Sequence, residues 1–541
     1  MNLETIITHS PALIVAVPLL GAFLTPLVAK INDKVRNIFV ILTVGLTAFL
    51  VYLLASDVLA NGIRTYVFGG GSPVIGSGES AFAIRILFEV DGMNIFMAII
   101  ASILALAGVI YSWAFMKGNT GLDKYYTLIL LMIAGMFGMI LTGDMFNFFV
   151  FLEITSISAC ALIAFWTNKG RAVDAGFKYI VISSIGALFV LFAIGILYGQ
   201  YNALNMAVLA NSMQYTFLDK IALVLLIAGL AMKAGIVPMH MWLPDAYGRA
   251  PSPVTLILVG TTQASLYGVL RMSFTVYGGH LTTPLKQVGD ITIDLSLLLG
   301  IVIVALAIVT ILIGVLMALK QTNFKRMIAF AAVGEIGYIF LAIGTAITTI
   351  TNDPNTGATI LTGSGEMALK GGIFHIINDA LDVGLLFLVA GAIYYAAKET
   401  SLDKMGGLAR NLKYTTVFFL IGLLAVSGMP PMNGFASKLM IYQSTYQINP
   451  ILAIVAILCS ILLLAAFVKV FHAAFLGPKL PKFTGVKEVP KSMLIAMGII
   501  ACIIIFFGLF PDFVVNNIVQ PAANALADNS IYITQVIGGG L

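Results

Sequence analysis

The chain has 541 residues, of which 60% are hydrophobic and only 10% are charged. Because about 25% of the residues of a soluble globular domain are charged, this composition excludes a soluble protein and predicts one that crosses the membrane many times. The net charge of +5 says little by itself, and the three cysteines lie far apart in apolar runs, which argues against a disulfide framework and against a zinc or iron–sulfur site.

Fourteen segments are apolar and long enough to cross the membrane, since a spanning helix needs about 20 such residues. They lie near residues 9–29, 37–54, 93–116, 125–142, 145–166, 175–198, 219–242, 253–276, 294–318, 327–348, 368–397, 414–446, 450–475 and 493–512. Residues 1–4 lack the basic region of a signal peptide, so the first span is predicted to remain uncleaved. The predicted fold is an all-α polytopic membrane protein with about 14 transmembrane helices.

Lysine and arginine residues are distributed unevenly between the predicted loops. The loops that follow odd-numbered spans contain 19 of them, whereas loops and helix ends on the other side contain 6. Short loops rich in lysine and arginine remain in the cytoplasm. The bias therefore predicts a multi-pass protein of the plasma membrane with both termini outside.

Two stretches are predicted to lie outside the bilayer. The glycine-rich segment 56–91 ends in the alternating residues 82–90, a pattern that predicts turns followed by a strand or hairpin. The tail after Pro511 has mixed polarity, and its last part, 526–541, is interpreted either as an amphipathic outer segment or as a contact with a partner protein.

Ionisable residues inside the predicted spans are the main functional signal. They are, in chain order, Glu153, Lys178, Lys233, Glu335, His375, Asp379, Asp382, Lys438 and Lys469. A charge at the bilayer centre costs about 2.5–3.5 kcal/mol on insertion scales, so such residues mark ion pathways or structural ion pairs. Their density favours a proton or cation pathway, although Lys469 lies near a helix end and is predicted to be an interfacial anchor.

The segment 233–253 combines a lysine, a proline and a histidine in or beside an apolar helix. Lys233 lies about twelve residues into an apolar run, and Pro238 is predicted to break the helix just beyond it. Irregular backbone at membrane depth is tolerated only beside protein or a water-filled cavity. An ion site is therefore predicted at Lys233, with a snorkelling or salt-bridged lysine as the alternative. His240 is interpreted either as a hydrogen-bonded residue facing the cytoplasm or as a proton gate.

A similar break is predicted at Pro430 and Pro431, which precede Lys438. Two spans before each break lies a glutamate, Glu153 or Glu335. Spans 4–8 and 9–13 would start on opposite sides of the membrane and would form two inverted five-helix repeats, each with a broken helix, an arrangement that marks a transport site near the midplane. The predicted domains are 1–124 with the outer loop 56–91, the repeats 125–278 and 294–475, and the region 476–541 with the last helix and outer tail.

Several motifs give the chain a family resemblance. They are Phe146-Asn-Phe-Phe-Val-Phe-Leu-Glu-Ile154, Ala175-Gly-Phe-Lys-Tyr179, Trp242-Leu-Pro-Asp-Ala246, Ala250-Pro-Ser-Pro-Val254, Gln321-Thr-Asn-Phe-Lys-Arg-Met-Ile-Ala-Phe330, Ile336-Gly-Tyr338, Met405-Gly-Gly-Leu408 and Gly434-Phe-Ala-Ser-Lys438. From about residue 10 to 525 the chain resembles the antiporter-like family. This family comprises the large proton-pumping membrane subunits of complex I, the D-type subunits of Mrp-type cation/proton antiporters, and related subunits of membrane-bound hydrogenases and sulfur reductases.

The resemblance implies a fourteen-helix fold with two inverted repeats and a row of buried charges at mid-membrane height. By position, Glu153 resembles the family's helix-5 glutamate, Lys178 its helix-6 lysine, Lys233 its central helix-7 lysine and Lys438 its helix-12 lysine. Helices 8 and 11 depart from the pattern. Their usual lysines are absent, with Gln263 the nearest polar candidate in helix 8.

In helix 11 the first histidine, His375, is kept, while Asp379 and Val383 stand where a second histidine and a lysine are usual. His375, Asp379 and Asp382 share one helix face at i, i+4 and i+7. The two aspartates either form a proton-bearing cluster, or bind sodium, or pair with Lys438 or Lys178.

Two further pairings stay open from the sequence. Glu335 is interpreted either as a true counterpart of Glu153 or as a partner of Arg326. Lys178 is interpreted either as a member of the relay or as a structural partner of Asp174 at i, i+4.

No nucleophile with a base, metal-ligand motif, Rossmann fingerprint or Walker loop is present, so the chain itself is predicted to carry out no bond chemistry and to hold no cofactor. The predicted function is that of an ion-translocating subunit that moves protons and, in one alternative, exchanges them for sodium. The expected partners are other membrane subunits, with or without a cytoplasmic redox module containing iron–sulfur clusters; nucleic acid is not expected. A standalone transporter and a non-conducting scaffold are the alternatives.

Overall fold

The computed structural model describes residues 3–70, 85–282, 284–288, 291–352, 359–478 and 480–537. The helices are α1 (Leu3–Ala29), α2 (Asp33–Asn61), α3 (Gly92–Phe115), α4 (Leu122–Leu141), α5 (Met145–Ile163), α6 (Gly170–Tyr201), α7 (Met206–Ser212), α8 (Phe217–Ala234), α9 (Trp242–Arg249), α10 (Ser252–Leu270), α11 (Leu295–Lys320), α12 (Phe324–Thr348), α13 (Gly363–Ala397), α14 (Lys413–Val426), α15 (Asn433–Ile448), α16 (Pro450–Val470), α17 (Lys491–Leu509), α18 (Pro511–Val514), α19 (Gln520–Ala527) and α20 (Ser530–Ile537). Turns of π-helix extend α10 to Val276 and α16 to Leu476.

The strands form three two-stranded antiparallel hairpins. They are β1 (Arg64–Val67) with β2 (Leu87–Val90), β3 (Pro284–Val288) with β4 (Ile291–Asp294), and β5 (Ile350–Asn352) with β6 (Thr359–Leu361). The first hairpin confirms the predicted strand or hairpin in its described part, and its position outside the bilayer stays a prediction. Residues 71–84 lie outside the described residues. The other two hairpins were not predicted, because their runs are too short to show a period of two.

Within the described ranges, thirteen helices are long and apolar enough to cross a membrane. They coincide with thirteen of the fourteen predicted spans, and the remaining one, 414–446, is divided into the shorter helices α14 and α15. The all-α polytopic fold is therefore confirmed. The domain boundaries and the inverted relation of the two five-helix units stay predictions.

Both predicted helix breaks are present, and each follows a glycine in the left-handed conformation. Gly235 ends α8 with a φ of 83°, and Gly428 follows α14 with a φ of 68°. A residue with a Cβ is strained at such angles. Prolines then remove backbone donors, so that α8 resumes as α9 after a 3₁₀ turn, and α14 resumes as α15. The breaks place Lys233 and Lys438 beside irregular backbone.

The degree of burial separates central helices from peripheral ones. The apolar windows of α12 and α13 are buried completely and that of α10 almost completely, whereas α1, α6 and α16 are less than half buried. Helices that are apolar on all sides and buried on all sides form the interior of a membrane bundle. Ionisable side chains on α12 and α13 therefore lie in the centre of the protein.

A buried ion pair lies at the end of the bundle where α3 begins and α10 ends. Arg271 is one of the six basic residues that the sequence assigns to loops and helix ends on the less basic side. It is 1% exposed and binds both carboxylate oxygens of Asp91, at 2.7 and 2.9 Å. Asp91 also caps α3 by accepting from the amides of Met93 and Asn94. The aromatic ring of Tyr532 in α20 packs over the Arg271 guanidinium at 5.0 Å. The described part of the tail therefore packs against its own chain, and residues 538–541 lie outside the described residues.

Glu89 lies beside this ion pair in β2 and is fully buried. Neither of its carboxylate oxygens has a hydrogen-bond partner in the described part of the chain. Burial, reinforced by the charge of Asp91, holds the pKa of Glu89 well above its usual value, and Arg271 and Tyr532 act in the opposite direction without offsetting it. Glu89 therefore binds its proton more tightly in the folded protein than in the unfolded chain.

This raised pKa predicts a pH dependence of stability. The stabilising effect of the bound proton is complete below the unfolded pKa and is lost as the pH rises through the folded pKa. We expect the melting temperature of the wild type to fall as the pH rises from about 5 to about 9, and Glu89→Gln to flatten that slope. Thermal unfolding of the purified protein in detergent measures both.

Glu399→Gln provides the control for this pH series. Lys482 and two backbone amides lower the pKa of Glu399 to about 2, so its stabilising effect is lost only as the pH falls through that value. Its replacement is expected to shift the melting temperature by the same amount at every pH between about 5 and about 9. Parallel curves for wild type and Glu89→Gln would contradict a titrating Glu89.

Candidate functional site

The first polar cluster surrounds Lys233 at the end of α8. Its ammonium lies 3.6 Å from Glu153 Oε1 on α5 and donates a hydrogen bond to Ser156 Oγ, one turn further along the same helix. Ser183 on α6 donates to Ser156 at 3.1 Å. The Lys233 side chain is 6% exposed and that of Glu153 28%. The predicted pair of Glu153 and Lys233 is thus present, and the lysine also binds a serine.

Asp144 begins the helix that carries Glu153. Its carboxylate caps α5 by accepting from the amide of Asn147 at 2.6 Å. Asp144 lies just before the first residue of α5, and burial raises its pKa to about 6. The cap holds the first turn of α5 and thereby the height at which Glu153 faces Lys233.

A small cavity of about 20 Å³ adjoins Lys233. Hydroxyl groups form much of its wall, among them those of Ser156, Thr261, Thr262 and Ser265. A buried water needs about 10–15 Å³ of such space together with two to four polar partners. The cavity therefore accommodates one water molecule beside the ammonium.

The second cluster surrounds Lys438 on α15. Its ammonium lies 2.8 Å from Glu335 Oε1 on α12 and donates to the Val426 carbonyl at the broken end of α14, also at 2.8 Å. His375 Nε2 on α13 lies 3.0 Å from the other Glu335 oxygen. The Lys438 ammonium also lies 4.6 Å from the centre of the Tyr338 ring. All of these ionisable side chains are at most 2% exposed.

Hydrogen bonds continue from His375 across the break. His375 Nδ1 lies 3.0 Å from Ser437 Oγ, which accepts from Asn378 Nδ2 at 2.9 Å. Asn433 donates both to Asn378, at 2.9 Å, and to Asp382 Oδ1, at 3.0 Å. The path from Lys438 through Glu335 to Asp382 therefore contains no gap wider than a hydrogen bond.

Asp379 extends the polar contacts from the second cluster toward the first. Gln263 on α10 donates a hydrogen bond to its Oδ2, while Oδ1 has no partner among the described residues. Next to Gln263, Thr262 forms a 2.5 Å hydrogen bond with Tyr247 and faces the cavity beside Lys233. Gln263 and Asp379 thus lie between the two lysine clusters. We call the Lys233 cluster, Gln263 with Asp379, and the Lys438 cluster together the central polar row.

Two predicted site residues lie apart from the central polar row. The Lys178 side chain is 58% exposed and forms a 2.6 Å ion pair with Asp245, not with Asp174. His240, in the 3₁₀ turn after Pro238, is buried, and its Nδ1 has no partner within the described ranges. The structure therefore does not place Lys178 within hydrogen-bond reach of the row.

Two open pairings are decided by the geometry. Glu335 pairs with Lys438 and His375, whereas Arg326 lies 3.5 Å from Asp245, so the predicted alternative of a Glu335–Arg326 pair is wrong. Neither Asp379 nor Asp382 forms an ion pair among the described residues. The interpretation of both aspartates as structural ion-pair partners of Lys438 or Lys178 therefore does not hold in this structure.

Neutral side chains supply the links that sequence reasoning missed. They are Ser156, Ser183, Asn378, Asn433 and Ser437, all buried. The sequence contains a signal for these links, since asparagines and serines occur inside apolar helices. A polar group without a partner is costly in that environment, so such residues indicate hydrogen bonds to other helices. The described residues contain no group of three or more His, Cys, Asp or Glu side chains suited to hold a metal ion. Sodium binding by Asp379 and Asp382 stays a prediction.

Comparisons with known proteins identify a family and several relatives of this chain. The family described as "NADH:quinone oxidoreductase/Mrp antiporter, TM" matches residues 142–353 and 356–464. The NADH-quinone oxidoreductase subunit N of Desulforudis audaxviator is 29% identical over 95% of this chain and 98% of its own length. The D-type subunit of the Na(+)/H(+) antiporter of Alkalihalophilus pseudofirmus is 28% identical over 96% of this chain and 97% of its own.

The fold also matches a solved assembly. The structure of "the membrane-bound sulfane sulfur reductase (MBS), an archaeal respiratory membrane complex" contains a chain that superposes with a TM-score of 0.83 at 27% identity. The match covers 97% of this chain and 99% of that one. Some other relatives are longer, and the chain spans only about 63% of their length.

Proposed function

The chain belongs to the NADH:quinone oxidoreductase/Mrp antiporter transmembrane family, and on that premise we propose that it translocates protons as an antiporter-like subunit of a multi-subunit membrane complex. The observation that carries the proposal is the central polar row. In this row Lys233 pairs with the partly exposed Glu153, and the buried Lys438 pairs with the buried Glu335, each lysine lying beside a broken helix. A stable scaffold would not need so many ionisable groups at this cost.

The two lysine–glutamate pairs can act as switches. A buried lysine or glutamate favours its neutral form when it lacks a partner, and both favour their charged forms when they are paired. A proton that binds Glu335 removes the negative charge that attracts Lys438. Lys438 can then interact with other polar or charged groups. The hydrogen-bonded path through His375 and the amides to Asp382 supplies neighbours that pass such a change along the row.

The chemistry of the row favours protons over sodium as the transported ion. A sodium ion needs several oxygen ligands around one point, as other hard cations do. Gln263 and Asn433 instead present amide N–H groups to Asp379 and Asp382. These donors occupy carboxylate oxygens that a cation would need. Exchange of protons for sodium is the secondary proposal, supported by the similarity of this chain to part of a Na(+)/H(+) antiporter.

The proposed partners are other membrane subunits, because the related chains are named as subunits and the superposed chain comes from a respiratory membrane complex. We propose that the side with the lysine-rich loops faces the cytoplasm, because short loops rich in lysine and arginine remain there. Energy comes either from a redox module with iron–sulfur clusters or from an existing ion gradient. Subunit identification and a metal assay on the gently purified complex separate these two sources.

The experiment that tests proton translocation removes both carboxylic acids of α13. We expect Asp379→Asn combined with Asp382→Asn to lower proton movement by the reconstituted complex at least about tenfold, since a missing relay group adds a barrier above about 1.4 kcal/mol. A pH-sensitive dye inside liposomes measures the flux at several sodium concentrations.

Asp403→Asn is the matched control, because this exposed aspartate lies in a loop outside the row. It is expected to leave the flux unchanged. If the double variant also keeps its sodium- and pH-dependent flux, neither proton nor sodium transport through these aspartates is correct.

A non-conducting scaffold remains the second candidate function. The observation that favours it is the absence of the usual lysines near Gln263 and at Val383. Normal pumping by a complex that carries Lys233→Ala together with Glu153→Gln would support this alternative.

A further inference from the structure

A cavity of about 380 Å³ lies apart from the central polar row, where the ends of α6, α9, α10, α12 and α13 meet on the lysine-rich side of the protein. Small-molecule sites have volumes of about 300–1,000 Å³. Four cationic residues line the cavity, namely Lys169, Arg171, Arg249 and Lys325. None of the four forms an ion pair with another described residue.

The carboxylate of Glu399 also lines the cavity but does not compensate these charges. One of its oxygens lies 2.9 Å from Lys482, and the other accepts from the amides of Thr400 and Ser401. Lys482 is not among the lining residues. The lining therefore has an excess of positive charge that no described side chain neutralises.

Three helices point their amino-terminal ends into the same space. The first residues of α6, α10 and α12, which are Gly170, Ser252 and Phe324, all line it. The helices α6 and α10 start without a side-chain cap, whereas Asn323 caps α12 and the Phe324 amide donates to the carbonyl of Thr400. An uncapped helix amino terminus carries a partial positive charge and free N–H groups, so α6 and α10 offer the features that suit a phosphate.

Local contacts hold the two lysines at the cavity wall. Lys169 Nζ lies 3.9 Å from the centre of the Trp166 ring and donates to the Tyr394 hydroxyl at 3.1 Å. Lys325 donates to the carbonyl of Ala250 at the end of α9. Each of these hydrogen bonds uses one N–H donor of a lysine ammonium but does not neutralise its positive charge. Each ammonium keeps further N–H groups for a ligand.

We propose that this cavity binds an anion with a phosphate group, either the head group of an anionic phospholipid or a soluble phosphate compound. Four basic side chains and the two uncapped helix amino termini of α6 and α10 face the same volume, and apolar side chains such as Phe115 and Ala390 form another part of its wall. A passing cation would be repelled there. The cavity is thus a phosphate site where α6, α9, α10, α12 and α13 meet, and not a vestibule for cations.

The test removes Arg171 and Arg249, because neither side chain donates a hydrogen bond within the described ranges and their loss disturbs packing least. The arginine variant carries Arg171→Gln and Arg249→Gln. The lysine control carries Lys320→Gln and Lys404→Gln, which replace two exposed lysines that do not line the cavity. The intact complex is reconstituted in nanodiscs of phosphatidylglycerol or phosphatidylcholine and analysed by native mass spectrometry after release. Equilibrium dialysis with radiolabelled inorganic phosphate forms the second arm, and thermal unfolding checks folding.

We expect the wild type and the lysine control to retain phosphatidylglycerol, and the arginine variant to retain it about tenfold less. That result assigns the site to a lipid head group. Saturable binding of inorganic phosphate that only the arginine variant loses, without lipid retention, assigns it to a soluble phosphate compound. Equal retention and equal phosphate binding by all three folded proteins would overturn the proposal.

Discussion

Replacing Lys438 by alanine is expected to abolish ion movement and also to destabilise the protein. The change leaves Glu335 buried with His375 as its remaining partner. Removing one member of a buried pair costs about 3–5 kcal/mol, because the other charge keeps its desolvation penalty. Reconstituted flux and thermal unfolding of the same preparation measure the two losses separately.

A double variant separates the structural role of this pair from its role in transport. Glu335→Gln with Lys438→Met removes both charges and keeps the side-chain volumes. We expect it to recover most of the stability that Lys438→Ala loses, since apolar and neutral replacements of buried ion pairs are often neutral or stabilising. Flux should remain absent, because no group is left to switch.

The opposite outcome has an equally clear meaning. A double variant that is stable and still moves protons at the wild-type rate would make Glu335 and Lys438 a structural pair only. The path through His375 to Asp382 would then lack its charged end, and translocation would have to be assigned to the Lys233 cluster alone.

The sequence predicted the broken helices and their lysines because those signals are local. A lysine in an apolar run and a proline a few residues away need no knowledge of the rest of the fold. The pairing of Glu335 with Lys438 stayed open for the contrary reason. These residues are 103 positions apart, so only the packing of α12 against α15 brings them together.

Arg271 shows how a long-range partner changes the meaning of a residue. From the sequence it was counted only among the basic residues of loops and helix ends on one side of the membrane. The structure pairs it with Asp91, 180 positions away, and packs the tail over it. Lys178 is the opposite case, because a residue inside a predicted span lies on an exposed helix face. Exposed Val181 and Ile185 follow it at i+3 and i+7, so its helix face is turned away from the bundle interior.

Replacing Lys233 by alanine is expected to abolish coupled ion movement while the complex still assembles. Glu153 is 28% exposed, so the loss of its lysine partner costs less stability than the same loss at the deeply buried Glu335. We expect a flux at least about tenfold below the wild type, together with a smaller loss of stability than Lys438→Ala causes. Subunit composition after purification and dye-reported flux are the measurements.

Lys178→Ala is the informative comparison for this variant, since both lysines lie in predicted spans but only Lys233 belongs to the central polar row. The Lys178 ammonium pairs with Asp245 on an exposed face, so its loss should leave most of the flux intact. Equal loss in both variants would mean that the ion pair of Lys178 and Asp245 belongs to the pathway and that the row extends through the partly exposed face of α6. Loss confined to Lys233→Ala instead restricts translocation to the central polar row, in which a water-sized cavity lined by hydroxyl groups adjoins Lys233.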